Sequence, residues 1–220
     1  MIENHIHIDD LVVKEPRLKS PEYEFNETNL KNHIKDAFNR VCIELNKLNI
    51  DTRTIMAPIQ LYDSTLTTKN FISDWIKSQN NNRVKRLVVK VKEPLTNDFK
   101  IILEGSNDNG ATGNRLVALD VNSNYASAMF DKEYKYYRFE VKAEADLNIN
   151  TFIYLVETTF DDLIIYKSLE NFFTAKYRTT GDTFFSKMGL YKSKFETELS
   201  IIDNKKLEIK SKNFIIRVGL

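Results

Sequence analysis

The sequence predicts an α+β fold in which a small helical bundle carries an inserted antiparallel β-sandwich. Apolar residues recur at helical spacing near the N-terminus. The middle of the chain then changes to short segments rich in β-branched and aromatic residues, separated by Asn, Asp, Gly and Pro. The helical spacing returns from Asp161, so we expect the helices on either side to pack together.

The composition is that of an ordinary globular protein. The chain has 220 residues, of which 42% are hydrophobic and 29% charged, so one or two domains are expected. Its formal net charge of +1 disfavours a general nucleic-acid binder, because that class needs a surplus of basic residues. We expect no membrane span, no secretory signal in MIENHIHIDD, and no disulfide framework with the single Cys42.

The N-terminal part is predicted to form an arm followed by a helix. Residues 1–25 are expected to be irregular, because Pro16 and Pro21 interrupt any helix. Residues 26–50 hold the first helix, with Asn26 or Thr28 as the candidate N-cap. Its apolar face consists of Leu30, Ile34, Phe38, Val41, Leu45 and Leu48.

The remaining elements complete the prediction. Residues 51–158 form the sandwich, and FISDWIKS, residues 71–78, is expected to be one or two helical turns. Residues 159–202 supply two more helices, which join 26–50 in one discontinuous helical domain, and 203–220 form a C-terminal arm or strand. The six strands are predicted near 58–62, 83–92, 98–104, 116–121, 134–142 and 151–158.

Two segments of the predicted sandwich, LEGSNDNG and YKYYRFEV, resemble the discoidin-type, galactose-binding-like β-sandwich family. The matching residues are Gly105, Ser106, Asn107, Asp108 and Gly110, then Tyr136, Tyr137, Arg138 and Phe139. The resemblance covers roughly residues 55–158 and implies the fold. ATGNR stands where that family has an aromatic residue after the turn, so sugar binding is not implied.

The segment 158–200 resembles the helical hairpin of phage head-to-tail adaptor (connector) proteins. The matching residues are Leu163, Ile164, Tyr166, Lys167 and Leu169, then Tyr191, Lys194, Phe195, Glu196, Glu198 and Leu199. The resemblance implies a structural virion protein, assembled in the host cytoplasm as a ring of about twelve copies. Its partners would be its own copies, the portal protein and a tail or stopper protein, with DNA only passing through the channel.

The residues expected at partner interfaces are Tyr166 and Tyr191 on the helices and Phe214, Ile215, Ile216, Arg217 and Val218 in the tail. The tail could pair within its own chain or add a strand to a partner's sheet. An alternative function is a carbohydrate-binding module of a phage tail or host-attachment protein. It predicts exposed aromatic and polar residues in the sandwich loops, such as Tyr62, Trp75 or Tyr125.

No enzyme, metal or cofactor is predicted. His5 and His7 with Asp9 and Asp10 could form a metal site, but a polar arm explains them more simply. Asp161 and Asp162 could form an acid–base pair, but a helix N-cap and first turn explain them.

Overall fold

The structure, a computed structural model, describes residues 5–52, 58–78, 84–180 and 184–217. The chain divides into two compact units. The β unit comprises Met1–His5 and Arg53–Thr159, and the helical unit comprises Ile6–Thr52 and Phe160–Leu220. The predicted α+β fold with an inserted β-sandwich is therefore confirmed.

The β unit is a sandwich of two antiparallel sheets. The first sheet has the strand order β1-β9-β4-β7, and the second has the order β2-β8-β5-β6, with β3 also paired to β8. Its strands in the described residues are β1 (Ile59–Leu66), β2 (Asn70–Ile72), β3 (Ile76–Lys77), β4 (Val84–Val91), β5 (Phe99–Ser106), β6 (Asn114–Val121), β7 (Tyr125–Met129), β8 (Tyr136–Ala143) and β9 (Ile149–Glu157).

The core of the β unit lies between the two sheets. Alternate residues of each strand point into it, because successive side chains of a strand face opposite sides of the sheet. On β8, Tyr137, Phe139 and Val141 are fully buried, whereas Arg138 and Glu140 are only partly buried. The first sheet contributes Leu61, Leu66, Leu87, Val89, Ile153 and Leu155 to the same cluster.

The prediction of a helix over FISDWIKS is wrong, because this segment forms β2 and β3. Both strands pair with β8, and Phe71 of β2 packs at 5.6 Å from the ring of Phe139. Pairing along the sheet thus outweighs the weak local preference of a short segment. Strand β7 was not predicted, since YASAM contains small residues and little of the usual strand signal.

The helical unit contains four α-helices in its described residues. Helix α3 packs against both α2 and α4. Each buries an apolar stripe, as the spacing predicts for α2 with Leu30, Ile34, Phe38, Val41 and Leu45. The helices are α1 (Ile8–Lys14), α2 (Glu27–Lys47), α3 (Asp161–Thr180) and α4 (Phe185–Arg217), with 3-10 turns at Pro16–Lys19 and Pro21–Tyr23.

The prediction of an irregular N-terminal arm is wrong for the described residues 5–25. His7 caps α1, and Asp10 completes a capping box with it. Each proline begins a 3-10 turn, where its missing N–H costs nothing. Leu11 and Leu18 are both 0% exposed, so this segment belongs to the core of the helical unit.

The prediction of a C-terminal arm or strand is also wrong up to Arg217, because α4 continues through these residues. Extending an existing helix adds one hydrogen bond for each residue fixed, so it avoids the cost of nucleation. The run KKLEIK also consists mostly of good helix formers. Val218 lies outside the described residues. In the described part of the chain, no helix is long and apolar enough to cross a membrane.

We expect Leu11→Ala to lower the free energy of unfolding of the helical unit by about 2–5 kcal/mol, because it leaves a cavity at a fully buried position. Urea denaturation followed by helical circular dichroism measures this change. Val13→Ala is the matched control, since Val13 of the same helix is 77% exposed and should cost less than about 0.5 kcal/mol. Equal, small effects of both variants would show that α1 contributes nothing to the core.

Candidate functional site

The outer face of the second sheet carries a row of charged side chains. The register of β5 places Lys100 opposite Asp120 on β6 and opposite Lys142 on β8. All three side chains therefore point to the same side, away from the core that their neighbours Phe99, Val121 and Val141 fill. Three adjacent strands thus supply one continuous polar surface.

A groove of about 870 Å³ lies at this end of the sheet. Its volume falls in the range of small-molecule sites. The loop between β4 and β5 forms one wall, and the ends of β6 and β8 form the others. The lining residues are Thr96, Asn97, Asp98, Phe99, Lys100, Asp120, Asn122, Lys142, Ala143 and Glu144.

The two lysines of the groove are each held by a carboxylate. The Nζ atom of Lys100 lies 3.1 Å from Oδ1 of Asp120. The Nζ atom of Lys142 lies 3.3 Å from Oε1 of Glu140, its second neighbour on β8. Each ion pair leaves other N–H donors of the lysine ammonium group available to a ligand.

Hydrogen bonds anchor the start of the β4–β5 loop, whose later residues form one wall of the groove. The Glu93 carboxylate accepts from the Asn150 backbone N–H at 2.9 Å and from the Asn150 side chain at 2.5 Å. These bonds lower the pKa of Glu93 below its ordinary value, the side-chain bond most. The Asn124 side chain donates to the carbonyls of Val91 and Glu93 at 3.1 and 3.0 Å. These bonds tie the start of the loop to Asn150 of β9 and to Asn124.

None of the residues lining this groove was identified from the sequence. A signal was present, because Asn and Asp residues cluster at the start of one predicted strand, at Asn97 and Asp98, and at the end of another, at Asp120 and Asn122. Such residues are also common in turns, so their position in the chain does not distinguish a binding site from a loop.

The turn LEGSNDNG packs against Trp75, one of the aromatic residues expected on a sugar-binding surface. The guanidinium of Arg138 lies 4.6 Å from the Trp75 ring centroid, and its Nε donates to Glu104 at 2.6 Å. A Cβ atom added to Gly110 would lie 2.2 Å from Nε1 of Trp75, and Gly110 has φ +94°. Trp75 is thus partly buried by its own chain.

The other two aromatic candidates are also engaged within the β unit. The Tyr62 ring packs against Phe71 and Phe139, and its hydroxyl donates to the Thr65 carbonyl at 2.9 Å. The Tyr125 hydroxyl donates to the His5 carbonyl at 2.9 Å. All three predicted aromatic residues therefore hold the sandwich together, and none lines the groove.

The structure places Tyr191, expected at an interface, in the core of the helical unit. It is 2% exposed and stacks on Phe173 with ring centroids 5.7 Å apart. Its hydroxyl donates to Glu15 at 3.0 Å, and Lys187 contacts the same carboxylate at 2.5 Å. Burial raises the pKa of Tyr191 far above its ordinary value. Tyr166 lies beside it, 6.4 Å away between ring centroids, and remains partly exposed.

The other residues singled out in the sequence lie on helices or outside the described part of the chain. Residues 214–217 lie on α4, and Val218 lies outside the described part. Asp161 and Asp162 occupy the first turn of α3, and Oδ1 of Asp162 lies 2.9 Å from Nζ of Lys14. Burial raises the pKa of the Cys42 thiol. Among the described residues, no group of three or more His, Cys, Asp or Glu side chains could hold a metal ion.

The sequence matches no protein-family model and no curated protein. A Yersinia pseudotuberculosis-derived mitogen has a similar structure, with a TM-score of 0.33, 14% identity, and coverage of 47% of this chain and 87% of that chain. A family 6 carbohydrate-binding module gives a TM-score of 0.27, 17% identity, and coverage of 47% and 95%. The CBM22-1-GH10 modules of Clostridium thermocellum xylanase 10B, complexed with xylohexaose, give a TM-score of 0.26 and 10% identity, with coverage of 46% of this chain and 29% of that chain. At these scores the similarities carry no inference about function.

Hydrogen bonds within the LEGSNDNG turn lower the pKa of Asp108 from 3.8 to about 2, chiefly the bond from Ser106 and then those from Thr112. Because the pKa is depressed on folding, the carboxylate stabilises the turn fully above pH 3.8, and this stabilisation is lost as the pH falls through about 2.

An NMR titration of the Asp108 carboxyl carbon should give this low value. Thr112→Val should raise it towards 3.8, because the 2.6 Å bond from the Thr112 hydroxyl is lost. Thr67→Val, at an exposed position outside the turn, is the control and should leave the titration unchanged. An ordinary pKa in the unsubstituted protein would contradict the hydrogen-bond network.

Proposed function

We propose that the β unit is a carbohydrate-binding module and that an oligosaccharide binds in the groove at the ends of β5, β6 and β8. The observation that carries this proposal is the lining of the groove. Eight of its ten lining residues are polar or charged, and around a groove of about 870 Å³ they include both hydrogen-bond donors and acceptors. This is the surface that a ligand rich in hydroxyl groups can satisfy.

The chemistry of the lining residues supports this ligand class. A sugar hydroxyl both donates and accepts, so it needs partners of both kinds. Asp120 accepts, Lys100 and Lys142 donate, and the amides of Asn97 and Asn122 do both. A nucleic acid fits poorly, because its phosphates need a basic surface, whereas three of the five ionisable residues here are acidic.

We expect Asp120→Ala to weaken oligosaccharide binding by roughly tenfold, since it removes a charged acceptor worth about 1.5–3 kcal/mol and releases Lys100. A glycan array identifies a ligand, and calorimetry then measures Kd. Asp63→Ala is the matched control, because Asp63 is an exposed strand residue that does not line the groove. Absence of binding to any glycan on the array would contradict the proposal, as would equal affinities of the two variants.

A second candidate function is the head-to-tail adaptor of a phage virion, assembled as a ring with the portal and a tail or stopper protein. The observation that favours it is helix α4. It has 33 residues, whereas its partner α3 has 20. It also exposes three large apolar side chains, with Phe185 56%, Leu190 48% and Ile201 39% exposed. Exposed apolar side chains on one helix are suited to contacts between copies.

For this candidate we expect closed rings in negative-stain electron microscopy and a matching mass by light scattering at high protein concentration. The double variant Leu190→Glu and Ile201→Glu should abolish the rings, because it places charges in an apolar contact. Lys192→Glu and Glu196→Lys, which exchange an exposed i,i+4 pair on the same helix, serve as the control. A fixed small oligomer such as a trimer, or a monomer at every concentration, would contradict the adaptor function.

A further inference from the structure

We infer that the dipeptide Asn109–Gly110 is a site of spontaneous deamidation, and that the Ser106 hydroxyl keeps this reaction slow in the folded protein. Asn-Gly occurs only here in the sequence. It lies in the turn after β5, where Asn109 is exposed and the two residues have φ 56° and 94°. Glycine favours the reaction, because it carries no side chain to crowd the attacking nitrogen.

The reaction joins two groups that are neighbours along the chain. The backbone nitrogen of Gly110 loses its proton and attacks Cγ of the Asn109 side chain. The new N–C bond closes a five-membered succinimide ring, and the side-chain nitrogen leaves as ammonia, which carries away the proton that Gly110 lost. Water then opens the ring at either carbonyl and gives aspartate or isoaspartate. The chain and water supply every atom, so the reaction needs no enzyme or cofactor.

In the folded turn, the nitrogen that must attack is already hydrogen-bonded. The Gly110 N–H donates to Ser106 Oγ at 2.9 Å, and the Asp108 N–H donates to the same oxygen at 3.2 Å. The Ser106 hydroxyl in turn donates to Oδ1 of Asp108 at 2.6 Å. Ser106 is 0% exposed, so this acceptor is shielded from water. The Gly110 nitrogen therefore loses its proton only after its bond to Ser106 breaks.

The indole ring of Trp75 packs against the same glycine. A Cβ atom added to Gly110 would overlap this ring, and the guanidinium of Arg138 lies 4.6 Å from the ring centroid. Gly110 is thus held by a hydrogen bond and by contact with an aromatic ring, so the attack on Asn109 requires a local opening of the turn. The isoaspartate product adds one atom to the main chain and a negative charge. It therefore does not fit between Ser106 and Trp75.

The test is to age the full chain at mildly alkaline pH, both folded and in guanidinium chloride, and to measure isoaspartate at position 109 by peptide mass spectrometry. We expect the folded chain to react roughly tenfold more slowly than the denatured chain, as the loss of one ordinary hydrogen bond allows. The fluorescence of Trp75, the only tryptophan, should change as the folded protein ages.

Three variants separate the role of Ser106 from general loosening of the turn. Ser106→Ala should remove most of the difference between folded and denatured rates, because Gly110 loses its acceptor. Thr112→Val removes a bond to Asp108 but leaves the bond between Ser106 and Gly110, so it should retain most of the protection. Ser123→Ala is the matched control, since its hydroxyl donates to a carbonyl in another turn.

Equal rates in the folded and denatured chains would overturn the inference. So would a folded Ser106→Ala variant that reacts as slowly as the unsubstituted protein, or as fast as Thr112→Val. Circular dichroism shows whether Ser106→Ala folds. If it does not fold, hydrogen exchange of the Gly110 amide in the unsubstituted protein decides the question. We expect this amide to be protected, and exchange as fast as in an unstructured peptide would contradict the role of Ser106.

Discussion

The β unit depends on the antiparallel pairing of β8 at the interior of the second sheet. This strand pairs with β5 along its whole length and with β2 and β3 on its other side. Its two-residue period sends Tyr137, Phe139 and Val141 into the core and Lys142 to the opposite face. A register shift of one residue would exchange these faces, so the apolar residues that stabilise the sandwich also fix the polar surface of the groove.

The same constraint places the aromatic residues and the polar residues of the β unit at different positions. Aromatic rings contribute most when they are buried, so Tyr62 and Tyr125 pack within the unit and Trp75 is covered by Arg138. The groove is lined mostly by polar and charged side chains, and the loop that forms one of its walls is anchored at its start by hydrogen bonds of Glu93 and Asn124.

In the helical unit, one buried carboxylate connects elements that are far apart in sequence. Glu15 is 5% exposed and contacts both Lys187 and the Tyr191 hydroxyl of α4. Removing Lys187 would leave the buried Glu15 carboxylate without its cation, and removing Tyr191 would take away one of its hydrogen-bond donors, so this cluster holds the segment after α1 against α4. The same contacts explain why Tyr191, which the sequence suggested as an interface residue, is part of the core.

The sequence by itself determined the α+β class and the larger elements, since the apolar period distinguishes helices such as α2 from strands such as β5 and β8 wherever a segment is long. It did not determine β2, β3 or the course of residues 203–217, because short or weakly patterned segments take the structure that their neighbours impose. Nor could it reveal the groove. Lys100, Asp120 and Lys142 are ordinary polar residues, and only the registers of β5 with β6 and β8 bring them together. Pairing between distant strands is a tertiary property, whereas the periodicity of each strand is local.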